Sequence, residues 1–236
     1  MMQMPPNEVT LFPTCTVESF LPQVGLATGQ VLRRCGLRVH LPRERPCCGW
    51  HAYTAGNWRD ATHTGRACLH ALAEYPAVVT PSPTCAHMMR ETLPHLLEEA
   101  GERPHTVAVW DLATFLVKVL GRVDLGARWA ARALWIPGQT SPAADHAVRL
   151  LTHVRGLDLI VPEGEALHCG GGGTFPLDMP DLALAMSQHT LRRASDLGVD
   201  AIITGDPECL LWLRGAAHQV GGAIPVYHLA DALLRG

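Results

Sequence analysis

The chain has 236 residues, 19 basic and 22 acidic side chains, a formal charge of −3, 47% apolar residues and 17% charged ones. That is enough apolar material for a sizeable core, in one large or two small α/β domains, and too little charge for a disordered chain. The slightly acidic balance argues against a nucleic-acid-binding domain, and no run reaches the roughly 18 apolar residues of a membrane span.

The start, Met1 to Glu8, has no basic cluster followed by an apolar stretch. It does not read as a secretory signal, so a cytoplasmic location is expected. A first strand is predicted at Val9–Phe12, followed by a helix that Gly36 ends. A strand at Leu37–Leu41 stops at Pro42 and leads into a Cys-Gly loop. A helix over about 57–74, a continuous apolar strand at Ala77–Thr80, a short loop and another helix complete the series. The same order then returns. It runs through a strand at Ala133–Ile136 and a helix with Ser141 as N-cap, Pro142 at its first position and Ala147, Leu150, Leu151 and Val154 on one face. Gly156 is expected to end that helix, and a strand at Leu157–Val161 follows. A second Cys-Gly loop, a helix over about 181–197 and a strand at Ala201–Thr204 come next.

The repetition is visible in the residues themselves. Gly36 to Pro42 matches Gly156 to Pro162 at an offset of 120, and Cys48-Gly49 matches Cys169-Gly170 at 121. Val78 to Cys85 matches Ile202 to Cys209 at 124, and Leu11-Phe12-Pro13 pairs with Trp135-Ile136-Pro137 at the same offset. Ordered matches with small drifts imply two copies of one unit, placed at 1–103 and 131–236, with a helical connector at 104–130. Unalternated strands alternating with helices imply an α/β fold of two Rossmann-like lobes with parallel sheets covered on both faces, related by a pseudo-twofold axis. Ligands on such sheets sit in loops beyond the carboxyl ends of the strands, where the cysteines fall.

Eight cysteines without a secretion signal read as metal ligands or redox groups before they read as disulfides. In the first copy the order is Cys15, 31 residues, Cys47-Cys48, 36 residues, Cys85. Three loops could bring four thiolates together, a donor set that suits Zn²⁺ or an iron–sulfur cluster. The competing reading is that some are small buried hydrophobes. Cys35 and Cys68, within or at the ends of helices, are assigned to packing. In the second copy Gln139 stands for Cys15 and His168 for Cys47, which leaves His168, Cys169 and Cys209 as a weaker set. Gly49 and the run Gly170-Gly171-Gly172-Gly173 could approach a cluster closely and donate backbone N–H groups to its sulfur. That run is neither a phosphate loop nor a dinucleotide fingerprint. His51, His87 and His168 lie near cysteines, as candidate ligands or proton carriers. Trp50 and Trp212 flank the two Cys regions and could shield a centre or simply pack.

The spacing Cys15…Cys47-Cys48-Gly49…Cys85, repeated in reduced form, resembles the CCG or cysteine-rich domain. That domain occurs in heterodisulfide reductases, in the iron–sulfur subunits of glycolate oxidase and in lactate utilization protein A. Further stretches carrying the resemblance are Pro22 to Gly25, Ala52 and Gly56, Pro81-Ser82, Gly170 to Phe175, Asp206 with Cys209-Leu210, and His228-Leu229-Ala230. The chain departs from the family pattern at Gln139 and His168, and at Met88 and Trp212, where the fuller pattern closes a Cys-x-x-Cys. The resemblance implies cytoplasmic electron transfer through a cysteine-bound 4Fe–4S cluster, with zinc as the alternative. It implies work beside other subunits of a lactate- or glycolate-oxidising complex, including a ferredoxin-like iron–sulfur protein. No flavin or nicotinamide motif is visible, so the chain is not expected to oxidise lactate alone. Two other readings stay open. One is a non-catalytic zinc-binding scaffold, and the other is a thiol protein cycling a disulfide at Cys47, Cys48 or Cys85.

Overall fold

Two strands are buried along their whole length, each an apolar run closed by a threonine, and both lie inside a sheet: β3 (Val78–Thr80) in the first half and β7 (Ala201–Thr204) in the second. The structure, a computed structural model, describes residues 6–138, 143–162, 167–219 and 224–236. It divides into two units, Met1–Arg122 and Val123–Gly236.

In the first unit β1 (Glu8–Leu11) leads to α1 (Cys15–Phe20), α2 (Pro22–Arg34) and β2 (Arg38–His40). Then come α3 (Trp50–Thr54), α4 (Trp58–Leu72), β3, and α5 (Pro83–His87), which runs through a π-helical turn at Met88–Thr92 into α6 (Leu93–Glu99). β4 (Val109–Asp111) and α7 (Leu112–Thr114), extended by a π-helical turn at Phe115–Val119, close the unit. The sheet is parallel, in the order β2-β1-β3-β4, with Thr10 paired to Val78 and Val78 to Val109.

The second unit repeats the plan. β5 (Arg128–Ile136), α8 (Ala144–Leu151), β6 (Arg155–Ile160), α9 (Phe175–Asp178) and α10 (Pro180–Asp196) precede β7. α11 (Pro207–Gln219), β8 (Val226–His228) and α12 (Leu229–Leu234) follow it. Its sheet is also parallel, in the order β6-β5-β7-β8. In each sheet the chain crosses from the first strand to one neighbour and then to the other. The loops that follow the two inner strands therefore open at the same edge, the topological position at which such sheets bind ligands.

Three features differ from the sequence reading. Residues 104–130, expected as a helical connector, contain β4, α7 and the first residues of β5. Each sheet thus gains a fourth strand, β4 or β8, of only three residues. Gly156 does not end a helix. α8 ends at Leu151, and Gly156 lies in β6 at φ +84, 3.4 Å (as a hypothetical Cβ) from Ala130 Cα. The β5–β6 register shifts between Arg128 and Ala131, so the glycine serves a bulge there. The N-cap and first-turn assignments to Ser141 and Pro142 lie outside the described residues. On α8, Ala147, Leu150 and Leu151 are buried, and Val154 is buried just beyond it.

The first unit's core joins Phe12, Leu69, Leu72, Val78, Met88 and Leu93 with Cys48, Cys68 and Cys85. Fully burying a Leu or Val side chain stabilises the fold by about 1.5–3 kcal/mol. The inner side of the cysteine cluster is therefore built on the part of the unit that resists local opening.

Candidate metal centre

Each ligand candidate of the first unit is held by a separate local device. Cys15 is the first residue of α1, and the residue before it, Thr14, caps the helix with its hydroxyl accepting from Val17 N–H at 3.4 Å. Thr14 has φ +67, a conformation that L residues rarely adopt, and it is buried. Among the described residues it is the one non-glycine with positive φ. Cys85 is the third residue of α5. Pro83 opens that helix, and Ser82 Oγ accepts from Cys85 N–H at 3.2 Å.

Cys47 and Cys48 precede Gly49, which has φ +88. A Cβ there would lie 2.7 Å from the carbonyl oxygen of Ala61 on α4, so only glycine lets the loop pass so close to that helix. The N–H of Gly49 points back at Cys47 Sγ, 3.4 Å away.

These devices converge. Cys15 Sγ lies 3.7 Å from Cys47 Sγ, and Cys48 Sγ lies 3.4 Å from Cys85 Sγ. The candidate ligand atoms of Cys15, Cys47 and His51 all fall within 4.8 Å of one another. Cys48 and Cys85 form a buried inner pair, whereas Cys15, Cys47 and His51 are half-buried. The protons are shared unequally. Hydrogen bonds from Cys15, then Cys48 and His51, hold the Cys47 thiol well below its ordinary range, against the opposing effect of burial. Cys15 and Cys48 are pushed up, each first by its hydrogen bond to Cys47. These shifts favour a thiolate at Cys47 beside protonated thiols at Cys15 and Cys48. A cation that displaced those protons would meet four sulfur donors, a set that selects soft metals.

Cys35 and Cys68 are separate from this set. Cys35 caps the C-terminus of α2, and Cys68 is buried on α4 with its sulfur 3.6 Å from Met89 Sδ. Burial pushes the thiols of both up, which suits the packing role expected of them.

In the second unit Cys169 and Cys209 are joined in a disulfide, with Cα atoms 5.3 Å apart. Disulfide sulfurs offer no thiolate, so in this state His168 stands without its two sulfur companions as a ligand set. The position expected to match Cys15, Gln139, lies outside the described residues. His168, Cys169 and Cys209 do line one cavity of about 470 Å³, with Pro137, Phe175 and Met186. The glycine run there serves packing. A Cβ on Gly170, at φ +72, would lie 2.1 Å from Ala183 O, and one on Gly171 would lie 2.2 Å from the indole of Trp212. Gly173 N–H is donated to Glu208 Oε2 at 2.8 Å. Gly49, one of the glycines expected to donate toward sulfur, has its N–H bonded to Cys47 Sγ.

Of the three histidines close to cysteines in sequence, His51 is brought onto Cys47 by its place as the second residue of α3. His87 lines a different cavity, beside Tyr53, Glu91 and His95. The capping roles of Thr14 and Ser82 are features that the sequence reading does not assign. The Ser-Pro-Thr-Cys and Asp-Pro-Glu-Cys stretches, each a cap followed by a first-turn proline, carry a signal for the second of them.

The cysteine-rich domain (CCG) pattern matches residues 9–90 and again residues 133–214. The chain belongs to the CCG cysteine-rich domain family. Among CCG proteins, lactate utilization protein A of Geobacillus kaustophilus is 33% identical over 235 residues, covering 96% of this chain and 98% of that one. The protein of the same name from Bacillus subtilis is 30% identical over 235 residues, with the same coverage. The fold is shared with a crystal structure of a hypothetical protein from Helicobacter pylori, with a TM-score of 0.66 at 12% identity. That match covers 98% of this chain and 49% of the other, so this chain spans about half of that protein. Among the described residues, no helix of this CCG protein is long and apolar enough to cross a membrane.

Proposed function

We propose that this chain is the iron–sulfur electron-transfer subunit of an L-lactate- or glycolate-oxidising system, with its working centre at Cys15, Cys47, Cys48 and Cys85. The observation that carries the reading is the convergence of four sulfurs from three strand-end loops, in a chain related over nearly its full length to lactate utilization proteins. When bound, a 4Fe–4S cluster supplies one-electron transfer. The chain's own residues would hold it by thiolates, Cys48 and Cys85 from the core side and Cys15 and Cys47 from the outer side. Gly49 N–H donates toward Cys47 Sγ, the kind of bond that tunes a thiolate ligand. The indole N–H of Trp50, next in sequence, is buried without a hydrogen-bond partner. A buried orphan donor is what an incoming acceptor, such as a cluster sulfide, would satisfy. Electrons would pass to or from partner subunits, among them a ferredoxin-like iron–sulfur protein, in the cytoplasm. The half-buried Cys15 side of the site is the shorter route to such a partner.

A zinc centre is the second reading, and one distance favours it. Four thiolates at about 2.3 Å from one tetrahedral ion stand about 3.8 Å apart. The observed pairs are at 3.7 and 3.4 Å. Anaerobic purification followed by iron, sulfide and zinc analysis, with EPR after one-electron reduction, separates the two. Iron with sulfide and a cluster signal supports electron transfer. Zinc alone, tightly held, replaces that reading with a structural one.

A further inference from the structure

We propose that the Cys169–Cys209 cystine is a second, independent redox centre that exchanges two electrons with a low-molecular-weight thiol entering the cavity beside it. The two cysteines are 3% and 1% exposed, so the bond is recessed. A broad protein surface presenting a dithiol would have to reach past the rim, whereas a slender thiol enters a space of about 470 Å³, within the size range of small-molecule sites. The walls are Pro137, Phe175 and Met186, with His168 as the polar group beside the bond. Cys209 is the third residue of the thirteen-residue α11. The positive end of that helix's dipole favours a thiolate at Cys209, which makes it the better leaving group.

The exchange balances as follows. The incoming thiolate attacks Cys169 Sγ, the Cys169–Cys209 bond breaks, and Cys209 leaves as a thiolate that takes a proton. A second thiolate attacks the mixed disulfide on Cys169, releasing the oxidised small disulfide and the Cys169 thiolate. Two thiols are oxidised and one cystine is reduced. The reverse course reoxidises the pair with a small disulfide. None of these steps involves the first unit's sulfurs, so this centre does not depend on which metal that unit holds.

The test uses the full chain, purified without reductant and equilibrated anaerobically across ratios of reduced to oxidised dithiothreitol and of reduced to oxidised glutathione. Thiols are trapped by alkylation, and the Cys169 and Cys209 peptides are quantified by mass spectrometry. The expected result is one reversible two-electron transition in the folded protein. A Cys209→Ser variant should capture glutathione on Cys169 at least about tenfold faster than on Cys35 or Cys68. Should that variant not fold, the reoxidation rate of reduced wild-type chain by glutathione disulfide gives the same information. The proposal is overturned if the cystine resists both reagents until the chain is denatured, or if the pair stays as two thiols under oxidised glutathione. Reduction by a thioredoxin-type protein as fast as by dithiothreitol would overturn the assignment to small thiols. Metal analysis of the same samples reports on the first unit separately.

Discussion

The two units solve one problem in two ways. In both, a loop after the second strand must be tied to a helix start after the third. In the first unit the tie is left to sulfur: Cys48 of the loop faces Cys85 of α5 at 3.4 Å, with no covalent bond. In the second the matching residues are bonded to each other as Cys169–Cys209. The second loop is also pinned from behind. Ser187 and Thr190 on α10 donate their hydroxyls to the carbonyls of Cys169 and His168, each at 2.6 Å. At the matching places on α4 the first unit has Gly65 and Cys68, which offer no such hydroxyl. A loop that bonds and hydroxyls hold needs no metal, and a loop without them gains from one. The comparison teaches that ligand loss and structural reinforcement go together in this fold.

The largest test of that contrast is metal content. Cys48→Ser or Cys85→Ser should lose most of the metal bound by anaerobically purified protein, and Cys169→Ser or Cys35→Ser should keep most of it. A greater loss in Cys169→Ser than in Cys48→Ser would reverse the ranking of the units. Next in size is the covalent tie. Closing a loop across a separation of 40 residues is worth about 4 kcal/mol in the chain-entropy picture. Urea melts of Cys169→Ala/Cys209→Ala should show a loss of that order, confined to the second unit by hydrogen exchange.

The close-packed glycines come third. Gly170→Ala places a Cβ 2.1 Å from Ala183 O, and Gly49→Ala places one 2.7 Å from Ala61 O, both at positive φ. Each should cost about 3 kcal/mol or more, with Gly170 the worse. Gly36→Ala, at φ +86 with nothing within 4 Å, isolates the conformational part and should cost about 1–2 kcal/mol. Denaturation midpoints rank the three. The smallest effect is the hydroxyl brace: Thr190→Val should lower stability by about 1–2 kcal/mol by leaving the His168 carbonyl unpaired. The sharper readout is faster amide exchange across 167–173, with the first unit unchanged.

Much of this arrangement is legible because the chain says it twice. The recurrence of Cys-Gly and of Thr-x-x-Pro-x-Cys locates both loop sets, and helices read at about 57–74 and 181–197 appear as Trp58–Leu72 and Pro180–Asp196. The fourth strands are not legible as strands, since three residues are too few to show a period. They too are repeated, however: Val109-Trp110-Asp111-Leu112-Ala113 matches Val226-Tyr227-His228-Leu229-Ala230. In each case the strand's last side chain caps the helix behind it, Asp111 accepting from Thr114 N–H and His228 from Ala230 N–H. The disulfide is not legible either. Two cysteines at equivalent strand ends are equally consistent with ligands, and only their actual approach distinguishes the cases. Gly156 misleads because a glycine at positive φ serves a bulge as well as a helix end.

The crossing of loop over helix at Gly49 and Gly170 has a consequence for how far a Cys-Gly signature can be trusted as a marker of chemistry. Both glycines answer to the same obstacle, the carbonyl of an alanine on the helix behind, and that obstacle exists whether or not anything is bound in front. The glycine therefore reports architecture, and the side chains before it report chemistry. Both halves of this chain match one family over stretches of equal length, although one half presents six free cysteines, four of them gathered at one site, and the other a closed cystine. Counting domain matches in proteins of this kind counts folded halves, and the number of centres has to be counted again, sulfur by sulfur.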